Sequence, residues 1–266
     1  MNQLHYTRTG TPTNPTVIFL HGFMGDHRDW DAVSSTLGHD FECVAVDLPG
    51  HGQSLGDDNG YDFAAAATAI IDVADEIGAD SFSLVGYSLG GRLALYFASM
   101  FAMRIDALIL ESASPGLRTE AEREARCKHD EALACHLKSQ PLEQFIDAWY
   151  AQPMFTTMQR HTDRFATLCE RRREQDAAAL AENLVAMGTG AQPPVWDDLP
   201  GHHIPTLLIV GEHDAKFRGI ADEMAELSAA MTIETIPDCG HNVHFENPDR
   251  YTAALLEFLG NHSRST

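Results

Sequence analysis

Ser88 lies in Gly86-Tyr87-Ser88-Leu89-Gly90, a G-x-S-x-G pentapeptide. A serine hydroxyl is a poor base and a poor nucleophile until a histidine takes its proton, and a carboxylate fixes that histidine's orientation. The pentapeptide puts its serine on a sharp strand-to-helix turn when an apolar run precedes it and a helical run follows. Here Ser81-Phe82-Ser83-Leu84-Val85 comes before and Leu93-Ala94-Leu95-Tyr96-Phe97-Ala98 after. Gly86 and Gly90 leave room where strand and helix backbones approach. The partners of such a serine follow it in the order acid, histidine. Asp214 comes directly after the apolar run 207–210, and His241 follows the run 232–236. Rival acids are Glu111, at the end of another run, and Asp238, three residues before His241. His244, three residues past His241, should point elsewhere. Charge developing on a reacting oxygen needs two backbone N–H donors. Leu89, after the serine, supplies one, and Phe23 in His21-Gly22-Phe23 the other, with His21 bracing that loop.

The elements that must position these groups alternate. Compact apolar runs at 16–20, 41–48, 105–111, 205–211 and 232–236 read as buried strands, with a weak edge strand over 4–9. Helical spacing covers 31–37, 63–77, 220–230 and a terminal helix opened by Pro248, with Gly78 closing the second. Alternating strands and helices predict an α/β chain: a mainly parallel sheet with helices on both faces. From 114 to 195 the strand-like runs vanish and helices are expected over 119–137, 141–150, 156–173 and 176–187. The expected organisation is a core over 1–113 and 196–266 carrying a helical lid insertion over 114–195. The tail is expected to fray from Asn261.

Composition narrows the partners. Thirty-nine acids against 18 bases give a formal charge of −21, which argues against nucleic acid or an anionic membrane as partner. Lysine is confined to Lys128, Lys138 and Lys216, so arginine clusters stand out. The five cysteines (43, 127, 135, 169, 239) lack metal-ligand spacing and read as reduced thiols. Residues 1–10 lack the apolar stretch of a secretory signal, and no run reaches the ~18 apolar residues of a membrane helix. A soluble, cytoplasmic protein is expected; oligomeric state is left open.

The motifs His21-Gly22-Phe23, Asp47-Leu48-Pro49-Gly50-His51-Gly52, Gly86-Tyr87-Ser88-Leu89-Gly90-Gly91, Gly211-Glu212-His213-Asp214 and Gly240-His241 together resemble the α/β-hydrolase superfamily. The resemblance implies the α/β-hydrolase fold and a Ser88–His241–Asp214 triad, but not the reaction, which varies on this scaffold. Finer pieces are similar to one branch, 2-succinyl-6-hydroxy-2,4-cyclohexadiene-1-carboxylate (SHCHC) synthases of menaquinone biosynthesis. They are 20–26, Gly86 to Arg92, Pro115-Gly116-Leu117 with Arg123 and Arg126, Asp147-Ala148-Trp149-Tyr150 with Gln152-Pro153, 214–218, and Gly240-His241-Asn242 with Glu246-Asn247-Pro248. The resemblance implies a lyase that expels pyruvate from a small substrate bearing three carboxylates, with no cofactor and no metal. The sequence agrees in lacking a dinucleotide glycine loop.

A pocket for that substrate needs cations, and arginine binds carboxylates bidentately. Arg92, one helical turn past Ser88, can face the pocket floor. Arg126 would reach down from the lid, although Glu122 and Arg126 also form an i,i+4 pair that suits a solvated face. The branch has a further lid arginine among Arg171, Arg172 and Arg173, of which Arg172 is the choice. Trp149 and Tyr87 complete the expected substrate contacts. Carbon–carbon bond hydrolases, carboxylesterases or thioesterases, and ligand receptors of the same fold are alternatives. The paired arginines speak against an esterase.

Overall fold

The mostly apolar, wholly buried run of residues 82–87 forms the strand that carries the serine. The computed structural model describes residues 4–55 and 62–262. In it, strands β1 (Tyr6–Thr9), β2 (Thr16–Leu20), β3 (Glu42–Val46), β4 (Phe82–Tyr87), β5 (Ile105–Glu111), β6 (Thr206–Gly211) and β7 (Met231–Ile236) form one sheet. Its order is β1-β3-β2-β4-β5-β6-β7. All neighbours pair in parallel except β1, which runs antiparallel along β3 as an edge. The serine strand is therefore central, where both faces are covered.

Side-chain alternation builds the two faces. Ile18, Leu20 and Leu84 pack with Phe63, Ile70 and Leu93 on one side. Val17, Phe19 and Val85 pack with Trp30, Leu37, Tyr251 and Leu255 on the other. Helices α2 (Phe63–Ile77) and α3 (Leu89–Met100) supply the first side, and α1 (Asp31–Leu37) and α10 (Pro248–His262) the second. Their ends follow local chemistry. The Asp62 carboxylate accepts from Ala65 N at the start of α2, and Gly78 closes that helix in the left-handed region with φ 79°. Helix α10 runs through Asn261 to His262; the rest of the tail lies outside the described residues.

Between β5 and β6 come four helices: α4 (Glu120–Ser139), α5 (Leu142–Tyr150), α6 (Thr162–Arg173) and α7 (Ala177–Met187). They hold a third apolar cluster, with Ile146, Met158 and Leu180 around Met24 of the core. Thr119 and Glu122 form a reciprocal capping box at the start of α4. That occupies Glu122, so Arg126 pairs instead with Asp130, one turn further along, at 2.7 Å. Two helix limits differ from the sequence pattern. The helix expected over 156–173 is broken at His161, whose φ/ψ of −95°/59° turns the chain between a 3-10 turn (Met158–Arg160) and α6. The helix expected from Ile220 starts at Ala215 as α8 (Ala215–Leu227), because the Asp214 side chain caps it and it continues through Gly219.

Candidate active site

Ser88 takes φ 50° and ψ −106°, a backbone state unusual for a residue with a Cβ. The crossing of β4 and α3 enforces it. A Cβ on Gly90 would strike the Leu20 carbonyl, and one on Gly86 the Gly90 carbonyl. Ser88 N–H donates to the Glu111 carbonyl at 2.9 Å, tying the turn to β5. The serine Oγ lies 3.3 Å from His241 Nε2, and His241 Nδ1 lies 2.7 Å from Asp214 Oδ2. Only a donating Nδ1–H suits the Asp214 carboxylate, which leaves Nε2 as acceptor for the Ser88 hydroxyl. His241 and Asp214 are buried, at 1% and 8% exposure, so water competes little for either bond.

The rival acids are committed elsewhere. The Glu111 carboxylate accepts from Val243 N–H (2.5 Å), His244 N–H (3.1 Å) and His244 Nδ1 (2.6 Å). It thereby anchors the short helix α9 (Val243–Glu246) that follows His241 and holds His244 away from Ser88. Asp238 is exposed, and its N–H donates to Glu212. Asp47, another buried carboxylate, accepts from His5 and His27 side chains and from the His27 and Gln53 N–H groups, pinning the loop after β3.

The loop after β2 is braced as expected. His21 Nδ1 donates to the Gly22 carbonyl (2.7 Å), and its Nε2 accepts from Leu48 N–H (2.9 Å). Burial pushes the His21 pKa down, which favours the neutral ring this pattern requires. Phe23 and Leu89 border the same cavity as Ser88. Leu89 opens α3, so its N–H has no intrahelical acceptor. Neither the Phe23 nor the Leu89 N–H has an acceptor among the described residues.

The cavity measures about 280 Å³. Ser88, His241, Arg92, Arg126, Lys216 and Trp149 line it, together with Phe23, Gln152, Phe155, Asn183 and Phe217. No carboxylate lines it among the described residues. Arg92 donates once, to the Met187 carbonyl at 3.1 Å, and lies 5.7 Å from the Phe63 ring centroid. Burial, with the like charge of Arg126, pushes its pKa down to about 9. Arg126 gives its Nε–H to Asp130, and its terminal nitrogens have no partner among the described residues.

Two expected contacts stand elsewhere. Arg172 forms a bidentate pair with Asp29 (2.9 and 2.7 Å) and donates its Nε–H to the Tyr150 hydroxyl at 3.1 Å. It is buried and does not line the cavity. Its place on the inner side of α6 turns it onto the loop after β2, while Arg171 reaches the Arg28 carbonyl and Arg173 reaches Glu143. Tyr87 also lies outside the cavity lining. Its ring packs beneath Gly22, where a Cβ would come within 2.6 Å, and against His241 and His244 at 5.5 and 5.0 Å. Lys216, named from the sequence only as a scarce lysine within 214–218 and not as a substrate contact, lies in the cavity wall. The available signal was one of only three lysines, placed two residues after Asp214.

This sheet, with a serine on its central strand-to-helix turn and an acid and histidine after its last two strands, defines an α/β hydrolase. The chain belongs to the alpha/beta hydrolase family, whose model matches residues 17–254. A 2-succinyl-6-hydroxy-2,4-cyclohexadiene-1-carboxylate synthase of Enterobacter sp. (strain 638) is 39% identical, covering 95% of this chain and 95% of its own. The synthase of the same name from Klebsiella pneumoniae is 35% identical over 94% and 96%. Among solved structures, MenH from S. aureus aligns with a TM-score of 0.92 at 32% identity, over 98% of this chain and 99% of its own. An enol-lactonase from Burkholderia xenovorans LB400, at 21% identity and a TM-score of 0.82, shares the fold. No helix among the described residues is long and apolar enough to cross a membrane.

Proposed function

We propose that the chain is a lyase that eliminates pyruvate from 2-succinyl-5-enolpyruvyl-6-hydroxy-3-cyclohexene-1-carboxylate to give 2-succinyl-6-hydroxy-2,4-cyclohexadiene-1-carboxylate. The full-length likeness to synthases of that product supports the reaction. The observation that carries the reading is the cavity itself: a Ser–His–Asp set faces Arg92, Arg126 and Lys216 with no carboxylate in the lining. In a chain of formal charge −21, such a pocket selects anions by focusing positive potential. A substrate with three carboxylates suits it. An ester pocket has no use for this charge, which separates the reading from a carboxylesterase.

The steps follow from the roles available. Ser88 Oγ, its proton passed to His241 Nε2, removes the ring proton beside the succinyl carbonyl. The imidazolium so formed is stabilised by Asp214. The released electron pair becomes the ring 2,3 double bond, the 3,4 double bond shifts to 4,5, and the bond from C5 to the enolpyruvyl oxygen breaks. Enolpyruvate leaves, regains a proton on carbon, and becomes pyruvate. Negative charge building on the succinyl carbonyl oxygen is held by the Phe23 and Leu89 N–H groups. Arg92 and Arg126 take carboxylates bidentately, and Trp149 covers the ring. The helical segment over 114–195 acts as the lid that shields the site from water, so the intermediate eliminates rather than hydrolyses. The chain works without a cofactor.

The test supplies the enolpyruvyl-bearing substrate and follows pyruvate with lactate dehydrogenase and NADH. One pyruvate per substrate consumed is expected, with p-nitrophenyl acetate a poor substrate. Fast ester hydrolysis without pyruvate release overturns the reading.

A further inference from the structure

Arg172 is sequestered by Asp29, so a different cation completes the charge of the cavity. Lys216 lines it beside Phe217, whose ring lies 4.7 Å from that of His241. The residue is exposed overall, which puts it at the rim rather than the floor. Its ammonium lies 5.1 Å from the Phe217 ring centroid. No carboxylate pairs with it among the described residues; the ion pairs of this part of the chain go to other basic groups. It shares the cavity lining with Arg126 and Arg92, and both of these and Asp214 act on its charge. A lysine held near two arginines is electrostatically unfavourable until an anion arrives. Partial burial and both arginines do lower its pKa. Asp214 offsets this only in part and makes no ion pair with the lysine, its Oδ2 being engaged by His241 Nδ1 and its other oxygen facing Phe217 N–H.

We propose that Lys216 is a specificity-determining residue that captures one carboxylate of the substrate at the cavity rim, beside the triad, while Arg92 and Arg126 hold the others deeper in. This rests on the pyruvate-eliminating reading above. A lysine suits the rim position. It is a compact charge on a flexible stem, able to follow a carboxylate inward, whereas a planar guanidinium demands one fixed approach. Its place two residues after Asp214 puts capture next to the chemistry without joining it. Because the contact forms on binding and persists through the reaction, its loss weakens ground state and transition state alike.

The experiment compares wild type with Lys216→Ala, Lys216→Glu and Lys216→Arg in the pyruvate assay, with circular dichroism confirming the fold. Lys216→Ala is expected to raise KM about tenfold, the lower range for a hydrogen bond to a charged group at a solvated rim, with kcat changed less than about twofold. Lys216→Glu raises KM further, Lys216→Arg recovers most of the loss and keeps the salt dependence of kcat/KM, and the Ala and Glu variants lose part of that dependence. If Lys216 acted only through Asp214, kcat would fall instead and the acid limb of its pH profile would move; that outcome overturns the proposal. So does an unchanged KM in Lys216→Ala while wild type releases pyruvate, and in that case the reading of the reaction stands. Absence of pyruvate from wild type removes both.

Discussion

Replacing Arg172 by methionine separates a structural arginine from a substrate-binding one. The guanidinium and the Asp29 carboxylate are 3% and 7% exposed as side chains, joined by two hydrogen bonds and flanked by the Tyr150 hydroxyl. Burial alone would lower the Arg172 pKa; Asp29 overrides this and holds it well above the ordinary value. Removing one partner of such a pair leaves a buried charge uncompensated, which costs about 3–5 kcal/mol. Removing both with apolar groups of similar volume is often neutral. Urea unfolding of wild type, Arg172→Met, Asp29→Leu and the double variant forms a double-mutant cycle. Each single variant is expected to lose about 3–5 kcal/mol and the double variant to regain most of it. Pyruvate turnover measured at a temperature where Arg172→Met remains folded should show KM within about threefold of wild type, well short of the tenfold or more that loss of a charged hydrogen bond brings. A variant that keeps its stability but loses substrate affinity by tenfold or more refutes the assignment and returns Arg172 to the pocket.

Two further outcomes follow. Arg92→Ala should raise KM by about 10- to 100-fold, the range for losing hydrogen bonds to a charged group, with the fold intact by circular dichroism; an unchanged KM contradicts a carboxylate contact. The second concerns acid. His51 is fully buried, and burial pushes its pKa down to about 3; that of His21 is lowered too. The unfolded chain binds protons near pH 6.5 that the folded chain refuses. The His51 part of this stability is therefore complete above pH 6.5 and drains as pH falls toward 3, at about 1.4 kcal/mol per pH unit, and His21 adds a loss of the same sign below pH 6.5. Asp47, whose pKa is lowered, contributes stability that is complete above the ordinary carboxylate range and is lost only as pH falls below it, outside this window. Urea midpoints from pH 6.5 to 4.5 should thus fall, and fall less steeply in His51→Gln; a flat wild-type profile contradicts this.

Much of the scaffold was legible because its signals are local. Buried parallel strands are short apolar runs, and β2, β4, β5 and β6 lie where those runs do. Gly78 and Pro248 mark helix limits through backbone constraints that any context obeys. The order serine, acid, histidine locates Ser88, Asp214 and His241 before any distance is known, and the fold brings them within hydrogen-bond reach. What was illegible depends on where a helix faces in space. Arg171, Arg172 and Arg173 look equivalent in sequence, yet one is buried against Asp29, 143 residues away. Glu122 looked like the partner of Arg126 until the Thr119 cap claimed it. Lys216 was hidden because α8 was expected to begin at Ile220, which left the lysine in an unassigned loop. The Asp214 cap moves the helix start back and brings Lys216 to the cavity. Tyr87 lies outside the cavity lining for the opposite reason: next to the serine in sequence, it points into the sheet's other face on the period of a strand.

The measurement that bears most directly on the account is single-turnover pyruvate release by wild type and Ser88→Ala on the enolpyruvyl-bearing substrate, followed together with the absorbance of the product diene. Stoichiometric pyruvate and diene from wild type, with the rate down at least about a hundredfold in a folded Ser88→Ala protein, is the predicted result for loss of a positioned base. Elimination at the wild-type rate in Ser88→Ala would contradict the role given to the triad, and a hydrolysed product in place of the diene would contradict the reaction itself.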